Sequence, residues 1–151
     1  MRTLQTGDKA PDIKTKDQHG NLFELNKLIG KKIVLYFYPK DDTPGCTTQS
    51  CNLRDNYPLL QKQGYEVVGV SADDEKSHQK FIKKFNLPFT LLADTDKKVV
   101  NDYGVWGLKK FMGREFEGIK RTTFIIDEKG MIAEIINQVD TANHTQQVLD
   151  K

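Results

Sequence analysis

Apolar positions along the chain recur with two different periods, and the places where the period changes mark the elements. Ile33-Val-Leu-Tyr-Phe-Tyr38 is an unbroken apolar run rich in β-formers, the pattern of a strand buried on both faces. Tyr65 to Val70 repeats that pattern. Between the two, Leu53, Tyr57 and Leu60 fall at i, i+4 and i+7, one face of a helix. Pro58 lies inside this segment and predicts a kink or a restart near Tyr57. Asp74 can cap a following helix whose apolar face is His78, Phe81, Ile82 and Phe85. A short strand is expected over Thr90 to Leu92 and a short helix around Val99 to Tyr103. Thr122 to Ile126 and Met131 to Ile136 are β-rich runs joined by Asp127-Glu-Lys-Gly130, a hairpin signal. A last helix from about Thr141 should bury Val148 and Leu149. At the other end, residues 11–14 and 21–25 flank the turn-rich Asp17-Gln-His-Gly20 and suggest a small opening hairpin. Strands alternating with helices, then a hairpin and a final helix, imply an α/β fold with a central mixed sheet flanked by helices. No repeat, low-complexity tract or linker divides residues 1–151, so one domain is expected.

Composition narrows the class of protein. With 37% hydrophobic and 29% charged residues in 151, the chain suits a globular fold with its own core rather than a disordered segment. No apolar stretch approaches the ~18 residues a membrane helix needs. The opening Met1-Arg-Thr-Leu-Gln-Thr-Gly-Asp8 turns polar at once, without an apolar signal core, so the expected compartment is the cytoplasm. Lys and Arg number 23 against 21 Asp and Glu, a balance that gives no reason to expect nucleic acid or an anionic membrane as partner. Paired lysines (31–32, 83–84, 97–98, 109–110) alternate with acidic or apolar residues and read as solvated faces.

The two cysteines, Cys46 and Cys51, change the picture more. A secreted scaffold held by disulfides would carry more of them, which leaves metal binding, redox chemistry or coincidence. Residues 39–55 leave a buried strand, turn through Pro and Gly, and enter a helix with Cys46 at or near its first turn. Ligands of open α/β sheets bind at the carboxyl ends of strands. First-turn N–H groups lack intrahelical partners, and the macrodipole favours negative charge there, so a thiol in that place has its thiolate favoured. The gain is bounded. Bringing any thiol from a pKa near 8.5 to ~6 raises its thiolate fraction at pH 7 by roughly 30-fold, while its intrinsic nucleophilicity falls slightly. A fast thiol peroxidase would also need polar groups aimed at the breaking O–O bond. Thr43, the Cys46 N–H and an arginine could supply them. Five residues of α-helix rotate side chains about 140° apart and separate their Cα atoms by roughly 8–9 Å. A disulfide needs about 7 Å or less. On an intact helix Cys46 and Cys51 cannot bond, and bonding would require the first turns to unwind.

The segment Tyr38-Pro-Lys-Asp-Asp-Thr-Pro-Gly-Cys-Thr-Thr-Gln-Ser-Cys51 closely resembles the active-site signature of peroxiredoxins. It looks most like the bacterioferritin comigratory protein (PrxQ-type) branch, where the second cysteine follows five residues after the first. The resemblance extends to Gly7-Asp-Lys-Ala-Pro-Asp12, Val67-Val-Gly-Val-Ser71, Val105-Trp106-Gly107 and Gly118-Ile-Lys-Arg-Thr-Thr-Phe-Ile-Ile-Asp127. It implies a thioredoxin-like fold and a peroxidase acting on hydrogen peroxide and organic hydroperoxides. By position Cys46 matches the peroxidatic cysteine and Cys51 the resolving one. Thr43 matches the threonine that orients the peroxide, Pro39 the proline that shields the thiolate, and Arg121 the arginine that stabilises thiolate and transition state. The resemblance further implies a sulfenic acid on Cys46, its condensation with Cys51, and re-reduction by thioredoxin or a similar dithiol. No metal, haem, flavin or nucleotide is implied, and the intramolecular pair makes a monomer the default. Departures are slight: Gln49 where many members carry Glu, Ser50 where Ala is common, and an early C-terminus.

Two rivals differ in kind. A thioredoxin-like disulfide reductase would carry C-x-x-C and a proline before the strand at Thr122, whereas the spacing here is C-x4-C and Gly118-Ile-Lys-Arg121 has no proline. A copper or zinc carrier could use the two thiolates, but a closed zinc site wants four ligands and no His lies nearby in sequence. His19, His78 and His144 are expected to be structural or solvated. Trp106, Phe111 and Met112 could line an apolar collar for organic hydroperoxides or could simply pack.

Overall fold

The computed structural model describes residues 4–150. Its centre is a seven-stranded mixed sheet. The strands are β1 (Lys14–Lys16), β2 (Leu22–Glu24), β3 (Lys32–Phe37), β4 (Tyr65–Ser71), β5 (Thr90–Ala93), β8 (Thr122–Ile126) and β9 (Ile132–Ile136), in the spatial order β2-β1-β5-β4-β3-β8-β9. β3, β4 and β5 run parallel, while β8, β9 and the β1–β2 hairpin are antiparallel additions. A separate hairpin, β6 (Trp106–Phe111) with β7 (Arg114–Ile119), precedes β8.

Central β3 shows why an unbroken apolar run is needed. Ile33, Leu35 and Phe37 enter one core with Val68, Leu92, Val100, Tyr103 and Phe124. Val34, Tyr36 and Tyr38 enter the other with Leu53, Leu60, Phe81, Val148 and Cys46. Period-2 alternation sends successive side chains to opposite faces, so both sets must be apolar. Helices α1 (Pro44–Asp55), α2 (Tyr57–Lys62), α3 (Glu75–Phe85) and α5 (His144–Leu149) contribute to the second core, and α4 (Lys98–Asp102) to the first. Gly69 on β4 lets the Tyr36 ring cross the strand, since a Cβ there would stand 2.8 Å from that ring.

The expected helix restart falls between α1 and α2, at Asn56 with Pro58 in the first turn of α2. Asp74 caps α3 by accepting from the Ser77 N–H at 2.8 Å. The opening hairpin is offset from expectation: β1 begins at Lys14, where the first strand was expected to end. Asp12 instead holds the turn through bonds from the Ile13 and Asn26 N–H groups. The final helix begins as a 3-10 turn, Thr141–Asn143, and buries Val148, with Leu149 only half-buried. The β6–β7 hairpin was not expected at all. Its turn places Met112 at φ 52° and Gly113 at φ 78°. Left-handed conformation at both turn positions is the hairpin-compatible geometry, but methionine is not a residue that announces it.

Candidate active site

β3 delivers the chain to the carboxyl edge of the sheet, where Pro39 follows two residues after the strand and a short loop leads to α1 at Pro44. Thr43 is the N-cap of α1, yet its side chain does not cap: its hydroxyl donates to the Lys40 carbonyl at 2.8 Å. The first N–H groups of the helix are thus left without a side-chain acceptor, and the lone pairs of the Thr43 oxygen stay free to accept. Pro44 at the first helical position has no N–H to satisfy. Cys46 follows in the first turn, 1% exposed and unbonded to Cys51. Cys51 lies half-buried on the same unbroken helix.

Arg121, between β7 and β8, reaches across to this turn. Its Nη2 donates to the Cys46 Sγ at 3.2 Å and its Nη1 to Gln49 Oε1 at 2.6 Å. A negative charge on Cys46 is therefore met by a guanidinium and by the N-terminal end of a helix. Gly45 makes the approach possible, since a Cβ there would sit 3.1 Å from the same Nη2. Gln49 is fully buried, and its amide nitrogen has no hydrogen-bond partner. Among the described residues Arg121 has no carboxylate beside it, so its charge is not neutralised.

The loop below Cys46 is tied down from the opposite side. Buried Asp41 accepts from Tyr38 Oη (2.6 Å), Ser77 Oγ (2.8 Å) and His78 Nδ1 (2.7 Å), while its own N–H donates to Asp73. His78 Nε2 lies 2.8 Å from the Leu92 carbonyl. Both ring nitrogens face acceptors, which requires both to carry protons. Burial alone would push His78 down, but the hydrogen bond and charge of Asp41 outweigh it and hold the ring above its ordinary range. Tyr36, hydrogen-bonded to Ser50 at 2.9 Å, is driven upward by burial and stays neutral.

The structure thus gathers Cys46, Thr43, Cys51 and Arg121 at one end of the sheet, with Pro39 half-buried at the exit of β3. Of the three residues named for an apolar collar, the two whose side chains are described lie apart. Trp106 lines a groove of about 660 Å³ with Tyr103, Thr122 and Phe124, on the sheet face away from Cys46. Met112 is 87% exposed at the hairpin tip, and the side chain of Phe111 lies outside the described residues. His19 is exposed; His78 and His144 are fully buried. Unforeseen from sequence were the Arg121 contact of Gln49 and the Asp41–His78 pair. The one available signal was a histidine on the apolar face of α3. Among the described residues no group of three or more His, Cys, Asp or Glu side chains could hold a metal, and no helix is long and apolar enough to cross a membrane.

Comparison with known proteins gives a consistent picture. The model of the AhpC/TSA family matches residues 6–135. A putative peroxiredoxin bcp of Coxiella burnetii is 45% identical over 149 residues, covering 99% of both chains. Peroxiredoxin Bcp of Escherichia coli K12 is 43% identical over 150 residues, covering 99% of this chain and 96% of its own. Among solved structures, a PrxQ variant from Xylella fastidiosa superimposes with a TM-score of 0.91 at 29% identity, over 99% of this chain and 96% of that one. A Xanthomonas campestris bacterioferritin comigratory protein, whose description names alkyl peroxide reduction, gives 0.88 at 31% identity, over 97% and 96%.

Proposed function

Because the chain belongs to the AhpC/TSA family, in its bacterioferritin comigratory protein (PrxQ) branch, and is a peroxiredoxin, we propose that it works as a single domain through Cys46 as peroxidatic and Cys51 as resolving cysteine. The observation that carries this reading is the Arg121 guanidinium on the Cys46 sulfur in the first turn of α1. The Cys46 thiolate attacks one peroxide oxygen; the S–O bond forms as the O–O bond breaks. The leaving oxygen takes up a proton and departs as water or alcohol. Thr43, with its hydroxyl proton committed to Lys40, accepts from the peroxide O–H and orients it, while Arg121 and the Cys46 N–H meet the charge spreading over the breaking bond. Pro39 shields the sulfur from bulk water.

The resulting sulfenic acid condenses with Cys51, releasing water, and is thereby kept from irreversible overoxidation. Since five helical residues hold the two apart, α1 must unwind at its start for this step. A dithiol donor such as thioredoxin then restores both thiols. Hydrogen peroxide and organic hydroperoxides are the substrates, the cytoplasm is the compartment, and the monomer is the working unit because both cysteines come from one chain.

The test is peroxide turnover coupled to thioredoxin and its reductase. Sustained consumption is expected from the wild type, none from Cys46→Ser, and a single turnover without thioredoxin-driven cycling from Cys51→Ser. Equal turnover by wild type and Cys46→Ser would overturn the assignment, and insulin reduction without peroxide consumption would favour a disulfide reductase.

A further inference from the structure

Thr43 can accept from a peroxide only while its own proton stays on the Lys40 carbonyl, so what holds that carbonyl matters. The Lys40 carbonyl and the Asp41 N–H belong to one peptide, which is trans. In a planar trans peptide the two groups point opposite ways, so bonds at both ends fix the plane. At one end the Thr43 hydroxyl donates to the Lys40 oxygen at 2.8 Å. At the other the Asp41 N–H donates to Asp73 Oδ2 at 2.8 Å, and Ser71 Oγ donates to the same oxygen at 2.8 Å. Ser71 ends β4 and Asp73 follows in the loop to α3, so the neighbouring strand supplies the grip. The Asp41 side chain ties the same stretch to Tyr38, Ser77 and His78. The turn needs such support. Asp42 sits at φ 56°, a left-handed conformation that turns ordinarily give to glycine or asparagine, and its own ion pair with Lys84 is exposed. An N–H on a carboxylate makes a bond roughly twice as strong as a neutral one.

Resting on the function proposed above, we infer that Asp73 is a positioning residue for the peroxide step: through the Lys40–Asp41 peptide it keeps the Thr43 proton on Lys40, leaving Thr43 an acceptor that orients the peroxide O–H. Its effect runs through Thr43 and not through the sulfur, whose charge is met by Arg121 and the start of α1. Without the carboxylate the Asp41 N–H loses its acceptor and the peptide plane is free to turn. The Lys40 oxygen then swings away from Thr43. A hydroxyl has one proton and two lone pairs, and one released from Lys40 presents its proton to the substrate as readily as its lone pairs. The peroxide loses its fixed orientation while the thiolate stays as reactive as before. β4 thus aims the threonine and the β7–β8 junction aims the arginine, so substrate alignment and sulfur activation are built separately.

The test uses a Cys51→Ser parent, in which Cys46 is the only thiol, and adds Asp73→Ala, Asp73→Asn, Thr43→Val and the Asp73→Ala/Thr43→Val pair. Two quantities are measured: the rate constant with hydrogen peroxide, and the pH profile of Cys46 alkylation by iodoacetamide, which needs no oriented peroxide. Asp73→Ala should slow the peroxide reaction by about tenfold, less than the ~10²-fold that a full 1 Å misplacement costs, and leave the alkylation profile where it was. Asp73→Asn keeps an acceptor oxygen and should recover most of that loss. In the pair, Asp73→Ala should change the Thr43→Val rate by no more than about twofold, because residues acting as one unit are not additive. An unchanged peroxide rate in Asp73→Ala would overturn the inference. So would an alkylation profile that shifts with the peroxide rate, an Asp73→Asn variant as slow as Asp73→Ala, or a full additional loss in the pair. A Thr43→Val variant as fast as the parent would overturn the role of Thr43 and this inference with it, while leaving Cys46 as the nucleophile. A parent that reacts with iodoacetamide but not with peroxide would overturn the proposed function itself.

Discussion

A methyl group added at residue 45 would press on the nitrogen of Arg121 that touches the Cys46 sulfur. The guanidinium is the free end of a long side chain, so it would yield rather than the helix. Gly45→Ala should therefore leave the fold intact and, by displacing the guanidinium, lower the rate constant for reaction with hydrogen peroxide by about tenfold, less than the ~10²–10³-fold for complete loss of one transition-state donor. Competition kinetics against a known peroxidase would measure it, and an unchanged constant would show that the Arg121 contact does not assist the reaction. At this scale the sequence told much about Cys46, Cys51 and Thr43, which share one short segment. Arg121 lies 75 residues away from Cys46; on its own it looks like a strand-end charge, and only the family resemblance marked it. Gln49 gave no signal, because what distinguishes it is a partner supplied by tertiary packing.

Among the elements, those with a strong period were legible. β3 and β4 announce themselves by unbroken apolar runs, and the α1–α2 break follows from Pro58. The β6–β7 hairpin escaped notice because its outer positions, Leu108, Met112 and Phe116, are apolar but exposed, which erases the alternation a half-buried strand shows. β1 was displaced because Asp12 binds turn N–H groups where a strand residue was expected. The loop between β3 and α1 shows what packing adds. Asp41 ties it to Tyr38, Ser77 and His78, so unwinding of α1 has a fixed point upstream of Thr43. His78→Leu should leave the Asp41 carboxylate buried with one strong donor fewer. The expected cost is about 3–5 kcal/mol, read from urea unfolding of the reduced protein. A loss below about 1 kcal/mol, the size of an ordinary hydrogen bond, would mean the pair is not an anchor.

For the molecule as a whole, the two buried histidines oppose each other with pH. His78 is raised in the fold, so its contribution is complete below the unfolded histidine value near 6.5 and is lost as pH climbs through the folded one. His144 is lowered, chiefly by burial and further by Arg121, despite the Gln147 bond. Its Nδ1 donates to Gln147 and its Nε2 accepts from Thr123, a neutral arrangement. Its contribution is therefore present above the unfolded value and lost as pH falls through the folded one. Thermal unfolding from pH 5 to 9 should show His144→Gln flattening the acid side of the stability curve and His78→Leu flattening the alkaline side. Identical curve shapes for all three proteins would contradict both assignments.

The central claim is that Cys46 is the oxidised sulfur and Cys51 its intramolecular partner, bonded only when the start of α1 opens. Intact-mass spectrometry of the reduced protein, before and after one equivalent of hydrogen peroxide, tests it most directly beside Cys46→Ser and Cys51→Ser. The account predicts a loss of about two mass units in the wild type, a sulfenic or higher acid in Cys51→Ser, and no oxidation of Cys46→Ser. Equally slow reaction of wild type and Cys46→Ser would show that Cys46 is not the activated nucleophile and would contradict the account at its root.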